Sequence, residues 1–225
     1  MRVLAIDTTT ARGSVAVVED RHVLGEVRLL SADRQSGHVM PAVDFLFAHL
    51  GFGVGTVDGF AVTLGPGSFT GLRVGISSVQ GLGLAAGKPC IGLPTLDVLA
   101  QRLRGTAPWL VPLMDAYRGQ VFAALYDSDA RRCSEMVAQD PAAFLAGLPA
   151  EAAFLGEGAE KYRELIRAQR PLALFPERSP YLAATLGRLA LAGLARGEGR
   201  AAQELRPLYL REAEIRPTGG RVGGP

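Results

Sequence analysis

Histidine and cysteine are scarce in this chain: among 225 residues there are three of the first and two of the second. Cys90 and Cys133 lack metal-type spacing, so thiolate cages are excluded, and unbridged thiols accord with a reducing compartment. His38 is followed four positions later by Ala42, so no His-x-x-x-His pair sets two imidazoles on one helix face for iron or zinc. His22 falls in a turn, and His49 sits near a helix C-terminus where the dipole suits it. No transition-metal site and no cofactor is expected. Long apolar runs are lacking as well. With no unbroken stretch of roughly eighteen such residues, and with an N-terminus that starts at once as an alternating strand, neither a membrane span nor a signal peptide is expected. A cytoplasmic location follows. Nor is there an excess of one charge: the formal net charge is +2, and the arginines are scattered and not gathered in a stripe. Nucleic-acid binding by this chain alone is therefore not expected. What is plentiful is core-forming material, 48% hydrophobic against 20% charged, enough for one large or two small domains.

The most informative segment is the junction at residues 60–73. Phe60-Ala61-Val62-Thr63-Leu64 reads as an apolar strand and empties into Gly65-Pro66-Gly67-Ser68-Phe69-Thr70-Gly71-Leu72-Arg73. A strand that stops on Gly-Pro-Gly must turn sharply, because glycine reaches backbone angles closed to other residues while proline fixes its own φ and removes a donor. Beyond it, Leu72 to Ala86 reads as a helix whose only charge is Arg73, with Gly75, Ser77, Ser78, Gly81 and Gly83 keeping its sides small. A helix with almost no polar face is buried on every side, so something must cover the face that does not rest on its own sheet. Ser68 lacks the Gly-x-Ser-x-Gly setting of a nucleophile and has no evident histidine base; Ser68 or Thr70 reads instead as the helix cap.

The chain also repeats itself. Val3 to Asp7 is a strand ending in aspartate, turning through Ala11-Arg12-Gly13 into Ser14–Val18; Leu110 to Asp115 does the same, turning through Tyr117-Arg118-Gly119 into Gln120–Leu125. The two aspartates lie nearly half the chain apart, so duplication into two lobes is the natural reading. Between the hairpins come a strand over 23–30, a helix over 38–50, the strand over 57–64, the glycine-rich helix, a short strand at Cys90-Ile91-Gly92 and a helix with Thr95 as N-cap. After the second hairpin, Asp140-Pro141 opens a short helix, Ala153–Leu155 is a short strand, Glu160–Gln169 a helix, and Ser179-Pro180 opens the last helix, Tyr181–Ala195. Glu157 and Glu160 look like an ordinary exposed helix start. Lobes are expected at 1–104 and 105–216, with a flexible glycine-rich tail at 217–225.

The block at 65–73 closely resembles the signature of the TsaB (YeaZ) family. So do Val3-Leu4-Ala5-Ile6-Asp7-Thr8-Thr9, Gly92-Leu93-Pro94-Thr95-Leu96, Met114–Val121 and Pro207-Leu208-Tyr209-Leu210-Arg211, in the same order and over nearly the whole chain. The resemblance implies a non-catalytic partner of TsaD, the transferase that forms N6-threonylcarbamoyladenosine at position 37 of tRNAs reading codons that begin with A. It also implies a third subunit, the ATPase TsaE, and a homodimer when TsaD is absent. Contact with tRNA would come only through the complex.

Two lobes that each open on an Asp-ended strand and a glycine turn also resemble the α/β actin, Hsp70 and sugar-kinase superfold, where paired hairpins straddle nucleotide phosphates. One reading is thus a stand-alone ATPase or kinase with Asp7, Thr8, Thr9 and Asp115 around its cleft; another makes those residues a vestige, the aspartates capping local turns. Bulky Tyr117 and Arg118 in the second turn, and a strand-to-helix turn reduced to Gly156-Glu157-Gly158, favour the vestige. A peptidase of the M22 type lacks its metal ligands. The remaining candidate is a surface. On the helix over 38–50, Val39, Val43, Leu46, Phe47 and Leu50 form the inward stripe, leaving Met40 and Phe45 outside it. With Gly71, Arg73, Val74, Gly75 and Ser78 of the glycine-rich helix they make a candidate partner interface, the alternative being packing against the second lobe.

Overall fold

The computed structural model describes residues 1–20, 22–30 and 37–210. Strands β1 (Arg2–Asp7), β2 (Arg12–Glu19) and β3 (His22–Leu30) form an antiparallel meander; β4 (Gly59–Gly65) and β5 (Cys90–Pro94) add in parallel on the far side of β1, giving the order β3-β2-β1-β4-β5. Alternation along these strands sends side chains to opposite faces. Leu4, Ile6, Val15, Val17, Phe60 and Val62 point to one side, where they pack with Val39, Val43, Phe47, Ile76 and Val79 of helices α1 (Val39–Leu50) and α2 (Phe69–Ala86). Val3, Ala5, Ala16, Val18 and Ala61 point to the other.

That second face is built mostly of small residues, and the helix it receives comes from the far end of the chain. Helix α7 (Ala183–Ala195) lies across β1, β2 and β4. At its closest approach, a Cβ on Gly187 would come within 2.6 Å of Val18 Cγ2 and 3.4 Å of Ala5 Cβ, so the alanines of the sheet and the glycine of the helix together set the distance between them. The helix start is capped from outside: Ala183 N–H donates to Ser14 Oγ on β2 at 3.0 Å, both residues being fully buried.

The second sheet has the order β10-β6-β7-β9, with β8 also paired to β6. Its strands are β6 (Trp109–Asp115), β7 (Val121–Ala123), β8 (Tyr126–Asp127), β9 (Val137–Gln139) and β10 (Ala153–Leu155). One face packs on helices α4 (Pro141–Ala146), α5 (Glu157–Lys161) and α6 (Arg163–Gln169) through Val111, Leu113, Phe144, Leu145 and Ile166. Helix α3 (Thr95–Leu103) lies between the sheets, touching β4 and β5 of the first and β6 and β10 of the second. Its Leu96, Leu99 and Leu103 share one buried cluster with Leu110 and Met114 and with the α7 side of the first sheet.

Several expectations are corrected by these coordinates. The glycine-rich helix begins at Phe69 and not Leu72, because Ser68 is its cap, accepting from Gly71 N–H at 3.3 Å. Thr95 does not cap α3: the cap position is Pro94, and Thr95 is the first helical residue. The stretch 160–169 is two helices, α5 and α6, broken at Tyr162 with φ −103° and ψ 20°. The last helix starts at Ala183, two residues beyond Tyr181. A division at residue 104 separates the two sheets but not their helices, since α7 rests on the first sheet. The expected tail at 217–225 lies outside the described residues.

If the α7 contact is set by Gly187, then Gly187→Val should destabilise the fold by about 1–3 kcal/mol through overpacking, read as a lower urea midpoint. An unchanged midpoint would mean that helix and sheet can move apart freely.

Candidate functional site

The first hairpin and the junction after β4 are tied together by short polar contacts. Asp7 ends β1 and is 1% exposed. Its Oδ1 accepts from Thr9 N–H at 3.2 Å, Thr9 Oγ1 at 2.8 Å and Thr63 Oγ1 at 2.7 Å, the last from β4. Burial raises the carboxyl above its ordinary value, and the three hydrogen bonds oppose that shift. Thr8 Oγ1 donates to Gly71 O at 2.7 Å, and Ser68 N–H donates to Thr9 O at 2.7 Å. The start of α2 therefore rests directly on the hairpin turn. A Cβ on Gly71 would collide with Thr8 O, and one on Gly75 with Thr8 Oγ1. These glycines exist for close approach.

The second hairpin repeats the pattern in a more open setting. Asp115 Oδ1 accepts from Tyr117 N–H at 3.0 Å, the same two-residue reach as Asp7 to Thr9, and its Oδ2 pairs with Lys161 Nζ at 2.8 Å. Tyr117, Arg118 and Gly119 follow with φ of 58°, 52° and 74°, three successive left-handed residues of which two carry large side chains. Tyr117 is 66% exposed. Both aspartates thus cap their own turns.

Residues that sequence reasoning passed over close the space between the hairpins. Arg12 Nη1 and Nη2 donate to Glu160 Oε1 and Oε2, both at 2.8 Å, a two-pronged pair joining β2 to α5. Glu157 is pushed up by burial, opposed by a hydrogen bond from Thr10 and by the nearby Arg12. Glu157 and Glu160 are therefore not an idle helix start. Gly156, at φ 116°, makes a tight strand-to-helix turn against Leu113. A cavity of about 20 Å³ lies beside Asp7. Nothing local in the sequence distinguishes these acids from solvated ones, because their partner lies 148 positions away.

A wider pocket of about 530 Å³ opens on the other side of the signature loop, between Pro66–Thr70, Ala116–Arg118 and Leu208–Leu210. The segment at 208–209 is held there by Leu208 N–H on Leu64 O at 2.7 Å and by the stacked rings of Phe69 and Tyr209 at 5.3 Å. Arg73 lies over Phe69 at 3.9 Å.

Among the described residues, the outer face of α1 and α2 leaves apolar side chains exposed. Met40 is 38% exposed and Phe45 55%, and on α2 Arg73, Ser77, Gly81 and Leu84 are exposed. Val74 and Ser78 are half-buried beside them. Gly71 and Gly75 are corrected: both are buried against Thr8 and do not reach this face. Among the described residues no group of three or more His, Cys, Asp or Glu side chains could hold a metal ion. Cys90 is buried, which pushes its thiol up to about 11, and Cys133 is exposed.

A family model described as TsaD, tRNA N6-adenosine threonylcarbamoyltransferase, matches residues 29–215. The tRNA threonylcarbamoyladenosine biosynthesis protein TsaB of Escherichia coli is 37% identical over 131 residues, which is 57% of this chain and 56% of that one. The chain spans about half the length of the curated relatives that it matches first. Two structures from Pseudomonas aeruginosa, one described as YeaZ and one as a protein with similarity to peptidase YEAZ, each superpose with a TM-score of 0.80 at 29% identity, covering 93% of this chain and 99% of theirs. The ROK hexokinase of Thermus thermophilus superposes at 0.50 with 11% identity, covering 88% of this chain and 100% of that one. At that identity the likeness concerns the fold, which is the α/β actin-like one of the sugar kinases.

The buried Asp7 makes stability depend on pH. In the unfolded chain it ionises near 3.8; in the folded chain the charged form is disfavoured, so its contribution is complete below that value and is lost as pH rises through the folded one. Asp7→Asn keeps an acceptor for the three donors and removes the loss. Its stability relative to the unsubstituted chain should therefore be higher at about pH 7.5 than at about pH 4 in paired urea titrations. A difference that stays constant across that range would place the titration elsewhere.

Proposed function

The chain belongs to the TsaB (YeaZ) family, within the wider group that the threonylcarbamoyltransferase model describes, and from that membership we propose that it serves tRNA threonylcarbamoyladenosine formation as a non-catalytic subunit. In this reading it binds and activates the TsaD transferase, together with TsaE, for the modification of adenosine 37 in tRNAs reading codons that begin with A. The observation that carries the proposal is a contrast between two surfaces. The cavity beside Asp7 measures about 20 Å³ and is walled by Arg12, which pairs with Glu160, whereas the outer face of α1 and α2 presents Met40, Phe45 and Leu84 to solvent. Large apolar side chains left in water mark an interaction face. Met40, Phe45, Arg73, Val74 and Ser78 are its proposed members, on the lobe assigned to residues 1–104. The same face would pair two copies when TsaD is absent.

Asp7, Thr8, Thr9 and Asp115 are then vestigial: they hold turns and anchor the signature loop formed by Gly65 to Thr70. Ser68 caps α2, which supports a structural and not a nucleophilic role. No helix among the described residues is long and apolar enough to cross a membrane, in keeping with the proposed cytoplasmic setting. The competing class is an ATPase or kinase acting alone, and after it a peptidase of the M22 type.

Met40→Glu combined with Phe45→Glu should leave the far-ultraviolet circular dichroism intact and weaken association with TsaD by roughly 30-fold or more, the equivalent of about 2 kcal/mol. Threonylcarbamoylation in a reconstituted system should fall with it. Gly75 is unsuitable as a probe because its substitution strikes Thr8. A well-folded double variant that still forms the complex would move the interface elsewhere.

The chain alone should show no ATP–Mg turnover. A rate of about 1 s⁻¹, ordinary for an enzyme, that disappears in Asp7→Asn would replace the subunit reading with the kinase one.

A further inference from the structure

The residual cavity beside Asp7 is lined by groups from both hairpin sides and from both lobes. Asp7, Thr10 and Arg12 come from the first hairpin, Thr95 from the start of α3, and Glu157 from the turn into α5; Met114 and Leu182 complete the walls. Thr95 is fully buried, and its Oγ1 has no hydrogen-bond partner among the described residues. A buried hydroxyl left unsatisfied is costly, and most such groups have a partner. Thr10, Arg12 and Glu157 already engage one another or Glu160, so none of them serves Thr95.

We propose that this cavity is a binding site for one water molecule, which accepts a hydrogen bond from Thr95 Oγ1 and donates to the carboxyl groups of Asp7 and Glu157. The volume suits it: about 20 Å³ holds one water, which needs roughly 10–15 Å³ on this measure, and nothing larger. The chemistry suits it as well. Water offers two donors and an acceptor, matching two carboxyl groups and one hydroxyl, and three bonds is the usual number for a buried water. A metal ion is a poorer match, because no three-membered cluster of ligating side chains occurs among the described residues. Burial holds both carboxyl groups above their ordinary values despite the donors they already have, so a further donor favours their charged forms. The water joins the first hairpin, α3 and the β10–α5 turn at one point and thereby becomes part of the seam between the lobes. This inference stands apart from the proposed partner role.

Crystals diffracting to about 1.5 Å should show a single peak within the hydrogen-bonding range of Thr95 Oγ1, about 2.6–3.2 Å. Thr95→Val should lose the peak, and Thr95→Ser should keep it. In carboxyl-¹³C NMR titrations of the full chain, the midpoint of Asp7 or Glu157 should rise by roughly half a pH unit or more in Thr95→Val, since a donor to the charged form is gone, while Thr95→Ser matches the unsubstituted protein. Absence of any peak in the unsubstituted protein would overturn the proposal. So would five or six oxygen contacts near about 2.4 Å, which signal a cation, or a valine variant that keeps both the peak and the midpoint. Should the valine variant fail to fold, the unsubstituted and serine crystals still decide the matter.

Discussion

The Asp7 carboxyl, buried and bonded through one oxygen to three donors, is the constraint on which the rest of this structure depends. It fixes Thr9 in the first turn and Thr63 on β4, and by holding the turn it fixes the two groups on which α2 rests, Thr8 O and Thr9 O. From that point the sequence of the signature loop becomes a set of distances. Gly71 and Gly75 are glycine because Thr8 lies beneath them. Ser68 caps α2 because its own N–H is already held by Thr9.

The hairpin turns and the outer helices of the first sheet leave their side chains in different settings. The polar groups around the two hairpins satisfy one another: Arg12 with Glu160, Lys161 with Asp115, Thr10 with Glu157. One side of the first sheet carries α1 and α2, whose inner stripes are fully used in the core while Phe45 and Leu84 remain in water.

The lobes are not independent bodies joined by a hinge. Helix α7 lies on the first sheet, α3 lies between both sheets, and one buried cluster runs from Val3 through Leu99 to Met114. Packing interiors of this kind do not deform continuously, so movement of one lobe against the other would have to break α7 from the small-residue face formed by Ala5, Ala16 and Ala61. The Ser14 hydroxyl, which caps α7 from the neighbouring strand, adds a second tie at the same place.

The sequence by itself determined the elements whose signals are local. The apolar runs of β1, β4 and β6, the inward stripe of α1, the Asp140-Pro141 helix start and the duplicated Asp-turn hairpins could all be read from spacing, because alternation and the 3.6-residue period depend only on neighbours along the chain. Met40 and Phe45 could be placed outside for the same reason. Tertiary structure alone decided the rest. Gly71 and Gly75 circle a helix that is small on every side, and no period says which glycine meets Thr8 and which side meets solvent. Thr95 carries a capping residue's chemistry, but β5 runs straight into Pro94 and leaves the hydroxyl in the seam. Glu157 and Glu160 have the composition of any helix start, and only folding brings Arg12 to them. For the glycines and the two glutamates the deciding contact spans most of a lobe or crosses between lobes, and a local pattern holds no record of a neighbour that distant in the chain.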